Sequence, residues 1–257
     1  MQFIDTHSHL YSSQFDEDRT QAINDAISAG VSIILLPNIS SDYTKGMLKI
    51  CDEFPENCFP MMGLHPCDVN EDNLEAELLH VEQELAKEKY IAVGEIGLDL
   101  YWDKTKLEVQ KKAFIHQIEL AKKHKLPIAI HVRDSFSEAI EIIEKLNDGS
   151  LRGVFHCFTG SIEDAQKVIN LGGFYLGIGG VLTFKNSGLD KTISEIEIQH
   201  LILETDSPYL APTPFRGKRN ESKYIANIAK KLAEVHKIEI ADVAKITTLN
   251  AKKLFGL

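Results

Sequence analysis

QFIDTHSHL, at residues 2–10, is a short apolar run that ends in alternating polar groups, with His7 and His9 two apart. In an extended chain alternate side chains point the same way, so the two imidazoles share a face. Similar apolar runs recur at 31–37, 58–63, 90–94, 127–131, 152–157, 174–178 and 200–205, with the first strand itself at 2–6. They are short and mostly β-branched or aromatic, as parallel strands buried on both faces are. The stretches between them are amphipathic. Leu74, Leu78, Val81 and Leu85 fall on one helical face, as do Leu107, Phe114, Ile118 and Ala121, and Phe136, Ala139, Ile140 and Ile143. The link after the seventh strand is the least helical, and helical stretches near 221–236 and 240–254 end the chain. Eight strands alternating with helices predict an α/β fold, a (β/α)8 TIM barrel forming one domain over residues 1–257. A doubly wound sheet is the structural alternative, but no GxGxxG follows a strand and no GxxxxGK[ST] occurs.

Composition narrows the function classes. The chain has 257 residues, 44% hydrophobic and 26% charged, which suits a globular fold with a sizeable core. No apolar run reaches the ~20 residues of a membrane span, and the first residues carry no basic region, so neither a membrane segment nor a signal peptide is expected. Cys51, Cys58, Cys67 and Cys157 show no CxxC spacing, so they read as small apolar filler in a reduced, cytoplasmic chain. A net charge of −10 disfavours tight non-specific binding to nucleic acid. It leaves room for a locally positive cleft, or for bound divalent ions that reverse the sign there. A monomer without an organic cofactor is expected.

The chemistry sits at the strand ends. The first strand ends in Asp5-Thr6-His7-Ser8-His9, the fourth in Gly94-Glu95-Ile96-Gly97 and the fifth in His131-Val132-Arg133-Asp134. The sixth ends in His156-Cys157-Phe158 and the eighth in Glu204-Thr205-Asp206. Barrel active sites lie at this end of the strands. His7, His9, Glu95, His131, His156 and Asp206 therefore converge from five strands, too many ligands for one tetrahedral metal. Shared between two ions by one carboxylate, the set fits a centre whose metals lie ~3.5–4 Å apart. Glu95, on a middle strand, is the candidate bridge, and Asp206 closes the ring beside the first strand. A lone strand-end histidine is usually structural, but His7, His9, His65, His131 and His156 are five of the ten histidines and all fall at strand ends.

Other residues surround this set. Asp5 and Glu204 are candidates for holding a ligand histidine in one tautomer, or for capping a nearby helix or loop. His65, in Gly63-Leu64-His65-Pro66, is a candidate catalytic and phosphate-contacting group, second to Asp206 as proton acceptor. Arg133 shares the facing of His131, where its fork suits a phosphate; the competing role is an ion pair with Asp134 or another barrel carboxylate. Arg216, Lys218 and Arg219 make the densest basic loop and are candidates to grip phosphates. Tyr101 and Trp102 offer rings for stacking a base or for packing.

FIDTHSHL at 3–10, GLHP at 63–66, GEIGLD at 94–99, HVRD at 131–134, HCFTG at 156–160, ETDSPYLAP at 204–212 and RGKRN at 216–220 occur in that order. Together they resemble the TatD family of metal-dependent deoxyribonucleases over almost the whole chain. The resemblance implies a (β/α)8 barrel with two metals, His7, His9, Glu95 and Asp206 binding one and Glu95, His131 and His156 the other. It also implies DNA as substrate, with 3′–5′ exonuclease action on single strands in some members. On this reading Asp206 is expected to serve as ligand and general base, and Glu95 as the shared catalytic carboxylate. The competing expectations are a metal-dependent amidohydrolase or esterase on a small molecule, and a non-enzymatic metal-binding barrel. Imidazoles suit zinc, nickel or manganese, and carboxylates with phosphate suit magnesium. Elemental analysis of saturated protein should give two divalent ions per chain, and Glu95→Ala should lower that number. An unchanged count in Glu95→Ala removes Glu95 as the bridge.

Overall fold

A computed structural model describes residues 1–257. Eight parallel strands alternate with helices: β1 (Phe3–Asp5), α1 (Arg19–Ser28), β2 (Val31–Leu36), α2 (Ser41–Glu53), β3 (Cys58–Pro60), α3 (Leu74–Leu85), β4 (Val93–Asp99) and α4 (Leu107–His124) form the first half. The second half holds β5 (Ile128–Arg133), α5 (Phe136–Leu146), β6 (Gly153–Phe155), α6 (Ile162–Asn170), β7 (Phe174–Ile178), α7 (Leu189–Ser194), β8 (Leu201–Leu203), α8 (Ile225–His236) and α9 (Ile240–Phe255). Ladders run β1-β2-β3 and β4-β5-β6-β7-β8. Two seams close the ring. Gly94 N–H donates to Met62 O at 2.9 Å, joining β3 to β4, and Thr6 N–H donates to Leu203 O at 3.1 Å, joining β8 to β1. The barrel expected from the sequence is the fold. No helix is long and apolar enough to cross a membrane.

Alternation along the strands sorts the core into two layers. Ile4, Leu35, Ala129, Val154, Tyr175 and Ile202 fill the barrel interior, together with Met61 just past β3 and Ala92 just before β4. Ala251, Leu254 and Phe255 of α9 pack into the same cluster. Thr248 donates to the Gln2 carbonyl and Arg152 to the Leu254 carbonyl, which places α9 under the strand N-termini. A larger cluster fills the space between strands and surrounding helices. With the lower end plugged, the upper end is left for the site.

Most strands are shorter than their apolar runs, because the last residues of each run turn into loops at the mouth. β4 departs furthest, running Val93–Asp99 where the sequence suggests 90–94. Two glycines and two carboxylates disguise it as loop. Ile96 pairs with Ile130 and Leu98 with Val132, and every β4 residue is buried. At Gly97, φ is +143° and a Cβ would stand 2.0 Å from the His131 carbonyl oxygen, so only glycine lets β4 and β5 meet. After β7 the link is a 3-10 turn and the six-residue α7, as its weak periodicity suggests.

Phe255→Ala should leave a void beneath the barrel and cost about 3–5 kcal/mol of unfolding free energy, measurable by urea denaturation. A loss below ~1 kcal/mol would mean that α9 does not seal the interior.

Candidate metal centre

Glu95 is 2% exposed and stands at the middle of the mouth. Its Oε2 lies 3.0 Å from His7 Nε2 and 3.6 Å from His9 Nε2. Its Oε1 lies 2.7 Å from His156 Nε2, 2.9 Å from His131 Nδ1 and 3.4 Å from His65 Nε2. Asp206 Oδ1 stands 3.4 Å from His9 Nε2 and 4.0 Å from His7 Nε2. The seven residues anticipated at this centre are thus brought together.

Backbone contacts aim them. Asn38, buried just past β2, donates its N–H to Gly94 O and accepts Glu95 N–H, both at 3.1 Å, and its Nδ2 donates to Gly63 O at 3.1 Å. One amide side chain and its backbone thereby tie the ends of β2 and β3 to the first part of β4. Asp206 N–H donates to His7 O at 2.9 Å, and His9 N–H to Ser207 O at 2.7 Å, so the β8–β1 seam carries three of the acidic and imidazole groups. Asp206 sits at φ 57°, a conformation most residues avoid, and this turns its carboxylate toward His9.

Neighbours set which ring nitrogen carries the proton. The Tyr11 hydroxyl donates to the Pro37 carbonyl, so it must accept from His9 Nδ1–H, 2.7 Å away. His9 Nε2 is left with its lone pair facing Glu95 and Asp206. His131 Nε2 lies 2.9 Å from Asp99 Oδ2, which as an ionised carboxylate accepts, leaving Nδ1 aimed at Glu95. His65 Nδ1 accepts Cys67 N–H at 3.1 Å, so its Nε2 bears the proton. His65 is therefore a donor into the site, a correction to its reading as reserve proton acceptor.

Charge is concentrated here. Burial raises the Glu95 carboxyl, but His156, His7, His65 and the His131 hydrogen bond overcome it and hold it well below the usual range. Burial also raises Asp206, and the contact with His9 together with the nearby His156 and His7 rings brings it below its ordinary value. Burial pushes His7 and His65 down against the pull of Glu95. His131 and His156 are shifted up, Asp99 and Glu95 outweighing burial for the first, and Glu95 and Glu204 for the second. Carboxylates thus attract protons onto two buried imidazoles, the condition under which a divalent cation competes for the same lone pairs. His7 Nδ1 and His156 Nδ1 are buried without hydrogen-bond partners. Ligand atoms group as His7–His9–Glu95, His7–His156–Asp206 and His65–Glu95–His131, each set within 4.8 Å. The donor chemistry fits divalent metal.

Other anticipated residues are placed differently. Asp5 touches no imidazole; it accepts from Thr205 N–H at 2.9 Å and Thr205 Oγ1 at 2.6 Å, stapling β1 to the end of β8. Glu204 accepts Cys157 N–H and lies 3.7 Å from His156 Nδ1, beside that ring but beyond hydrogen-bond distance. Arg219 forms a bidentate pair with Asp18 at 2.7 Å, contacts Glu221 at 3.2 Å and lies over the Phe15 ring. That commitment to neighbouring carboxylates replaces the phosphate grip expected of it. Arg216 stacks on Phe184, and Arg216 and Lys218 are exposed without an acidic partner. Arg133 does not pair with Asp134; its guanidinium lies 3.6 Å from the Tyr101 ring centre. Tyr101 and Trp102 are 52% and 72% exposed, so neither packs in the core.

Asn38, Tyr11 and Asp99 escaped the sequence reading. Tyr11 continues the two-residue spacing of His7 and His9, and Asp99 that of Glu95 and Gly97, so the period was visible; Asn38 had no such signal.

The family model described as TatD related DNase matches residues 4–256. The chain is 38% identical over 255 residues to an uncharacterized metal-dependent hydrolase, YabD, of Bacillus subtilis strain 168, covering 99% of each. It is 32% identical to the 3'-5' ssDNA/RNA exonuclease TatD of a Rahnella species, covering 97% of this chain and 96% of that one. The crystal structure of the TatD homologue YjjV from Escherichia coli K12 superposes with a TM-score of 0.92 at 29% identity, covering 99% of this chain and 98% of the other.

Asp99→Ala should leave His131 free to turn and weaken metal binding about 10–100-fold. Chelator competition on the folded variant reads this directly, and unchanged affinity would deny Asp99 the orienting role.

Proposed function

Because this chain belongs to the TatD related DNase family, and is a metal-dependent hydrolase of that family, we propose that it cleaves the phosphodiester bonds of DNA, as a 3′–5′ exonuclease on single strands. The observation that carries the reading is Glu95, buried among imidazoles and faced by Asp206, in a mouth rimmed by cations with no acidic partner. The name of the Rahnella relative supports the substrate and the polarity. Arg133, Arg216 and Lys218 suit a polyanion better than a neutral ester or lactone.

His7, His9, Glu95 and Asp206 would hold one divalent ion, and Glu95, His131 and His156 a second. When bound, such ions supply Lewis-acid polarisation of the phosphoryl group and make water more acidic. Glu95 stays ionised and is pinned by imidazoles on both oxygens, so it is a poor proton carrier. Asp206 is less encircled and at the open side of the seam, so it takes the proton of the attacking water. His65 donates its Nε2–H to a phosphate oxygen. The N–H edges of Arg133 remain available to a second oxygen while its face rests on Tyr101.

Asp206→Asn keeps the shape of the side chain and a carbonyl oxygen but cannot accept that proton. It should fold normally, retain at least the ion of Glu95, His131 and His156, and lose about 10²–10⁴ in turnover on end-labelled single-stranded DNA. A variant that holds both ions and cleaves within a few-fold of the parent denies Asp206 the base. Parent protein that leaves DNA intact but opens neutral esters overturns the substrate class.

A further inference from the structure

Four aromatic side chains are substantially exposed: Tyr43 at 40%, Tyr101 at 52%, Trp102 at 72% and Tyr209 at 49%. Three lie in loops that follow strand C-terminal ends, Tyr101 and Trp102 after β4 and Tyr209 after β8, and Tyr43 lies in the first turn of α2. None is phenylalanine, although the chain has 12. Rings with a polar edge suit a surface that is wet when free and covered when loaded.

The three loop rings form two groups across the mouth. Tyr101 and Trp102 meet edge to face with centres 4.9 Å apart, and the Arg133 guanidinium lies 3.6 Å from the Tyr101 centre and 5.6 Å from that of Trp102. This group belongs to β4 and β5. Asp99 ties it to the centre, because its Oδ1 accepts Tyr101 N–H at 3.0 Å while Oδ2 takes His131 Nε2–H. Tyr209, on the β8–β1 seam, has its ring centre 5.9 Å from that of His9. In a closed ring of eight strands, the β4–β5 pair lies opposite the β8–β1 seam. The metal ligands stand between.

We propose that Trp102, with Tyr101 and Arg133, stacks one base of an unpaired nucleic-acid strand, and that Tyr209 stacks a base on the other side of the centre. This rests on the nuclease reading and adds how the strand is selected. Inside a duplex both faces of a base are covered by its stacked neighbours, so platforms on both sides of the centre favour a flexible single strand, whose successive bases can part and lie on separate rings. The cation of Arg133 complements the backbone and suits a nucleic acid over an apolar protein segment. Because the contacts are to π faces, the platforms tolerate any base sequence.

Trp102 is the only tryptophan, so its emission reports the platform alone. Titration of metal-loaded Asp206→Asn protein with short oligothymidylate should change that emission. An abasic strand of equal length and a blunt duplex should not. In otherwise unaltered protein, Trp102→Ala, a change at an exposed position, should raise KM for oligothymidylate by about tenfold, the scale of one base–aromatic stack, with kcat within a few-fold. The preference for base-bearing over abasic strand should shrink with it. If oligothymidylate binds by anisotropy yet Trp102 emission responds to it no more than to the abasic strand, or duplex works equally well, the platform is overturned while the nuclease reading stands. If the parent neither binds nor cleaves single strands, the nuclease reading falls and takes the platform with it. Emission that responds only to a protein partner also overturns it.

Discussion

An ionised carboxylate buried at the centre of the mouth is the constraint on which the rest depends. Taking a charge such as Glu95 out of water costs several kcal/mol unless other groups replace the lost hydration. Here His7, His131, His156 and His65 face it from four other strand ends. Each imidazole must reach the same two oxygens, so the strand ends carrying them must converge. A closed barrel plugged from below by α9 produces that convergence, because all eight strands run parallel and open toward one rim.

The ring of imidazoles is useful only if each presents the right nitrogen. Tyr11, Asp99 and the Cys67 N–H do this for His9, His131 and His65 respectively. None of these groups belongs to the central set. They convert a cluster of histidines, which could exchange protons among themselves, into two aimed lone pairs and one aimed donor. Asp99 does more, since its second oxygen anchors the loop bearing Tyr101 and Trp102. Orientation of a ligand and presentation of the rim aromatics are thereby joined through one side chain.

Charge is distributed in keeping with this layout. The chain is acidic overall, at −10, yet the mouth combines Arg133, Arg216 and Lys218 without acidic partners. Attraction of a polyanion is therefore weak over the surface and concentrated at the rim.

The sequence by itself determined the barrel and the convergence at its mouth of His7, His9, Glu95, His131, His156 and Asp206. It could do so because two signals are local: apolar runs of strand length alternating with helical periodicity, and polar residues placed just past each run. The spacing of His7 and His9 already puts them on one side. Tertiary structure alone decided what depends on partners distant in sequence. β4 runs on through Gly94 and Gly97 because β5 supplies its hydrogen bonds, a stabilisation no glycine-rich stretch shows in isolation. Arg219 is drawn to Asp18, some two hundred residues earlier, and Asp5 to Thr205, because closing the ring brings the chain's two ends together. Arg133 is held by an aromatic face and not by the adjacent Asp134. Periodicity says which way a side chain faces, but the partner it meets is set by the closure of the barrel.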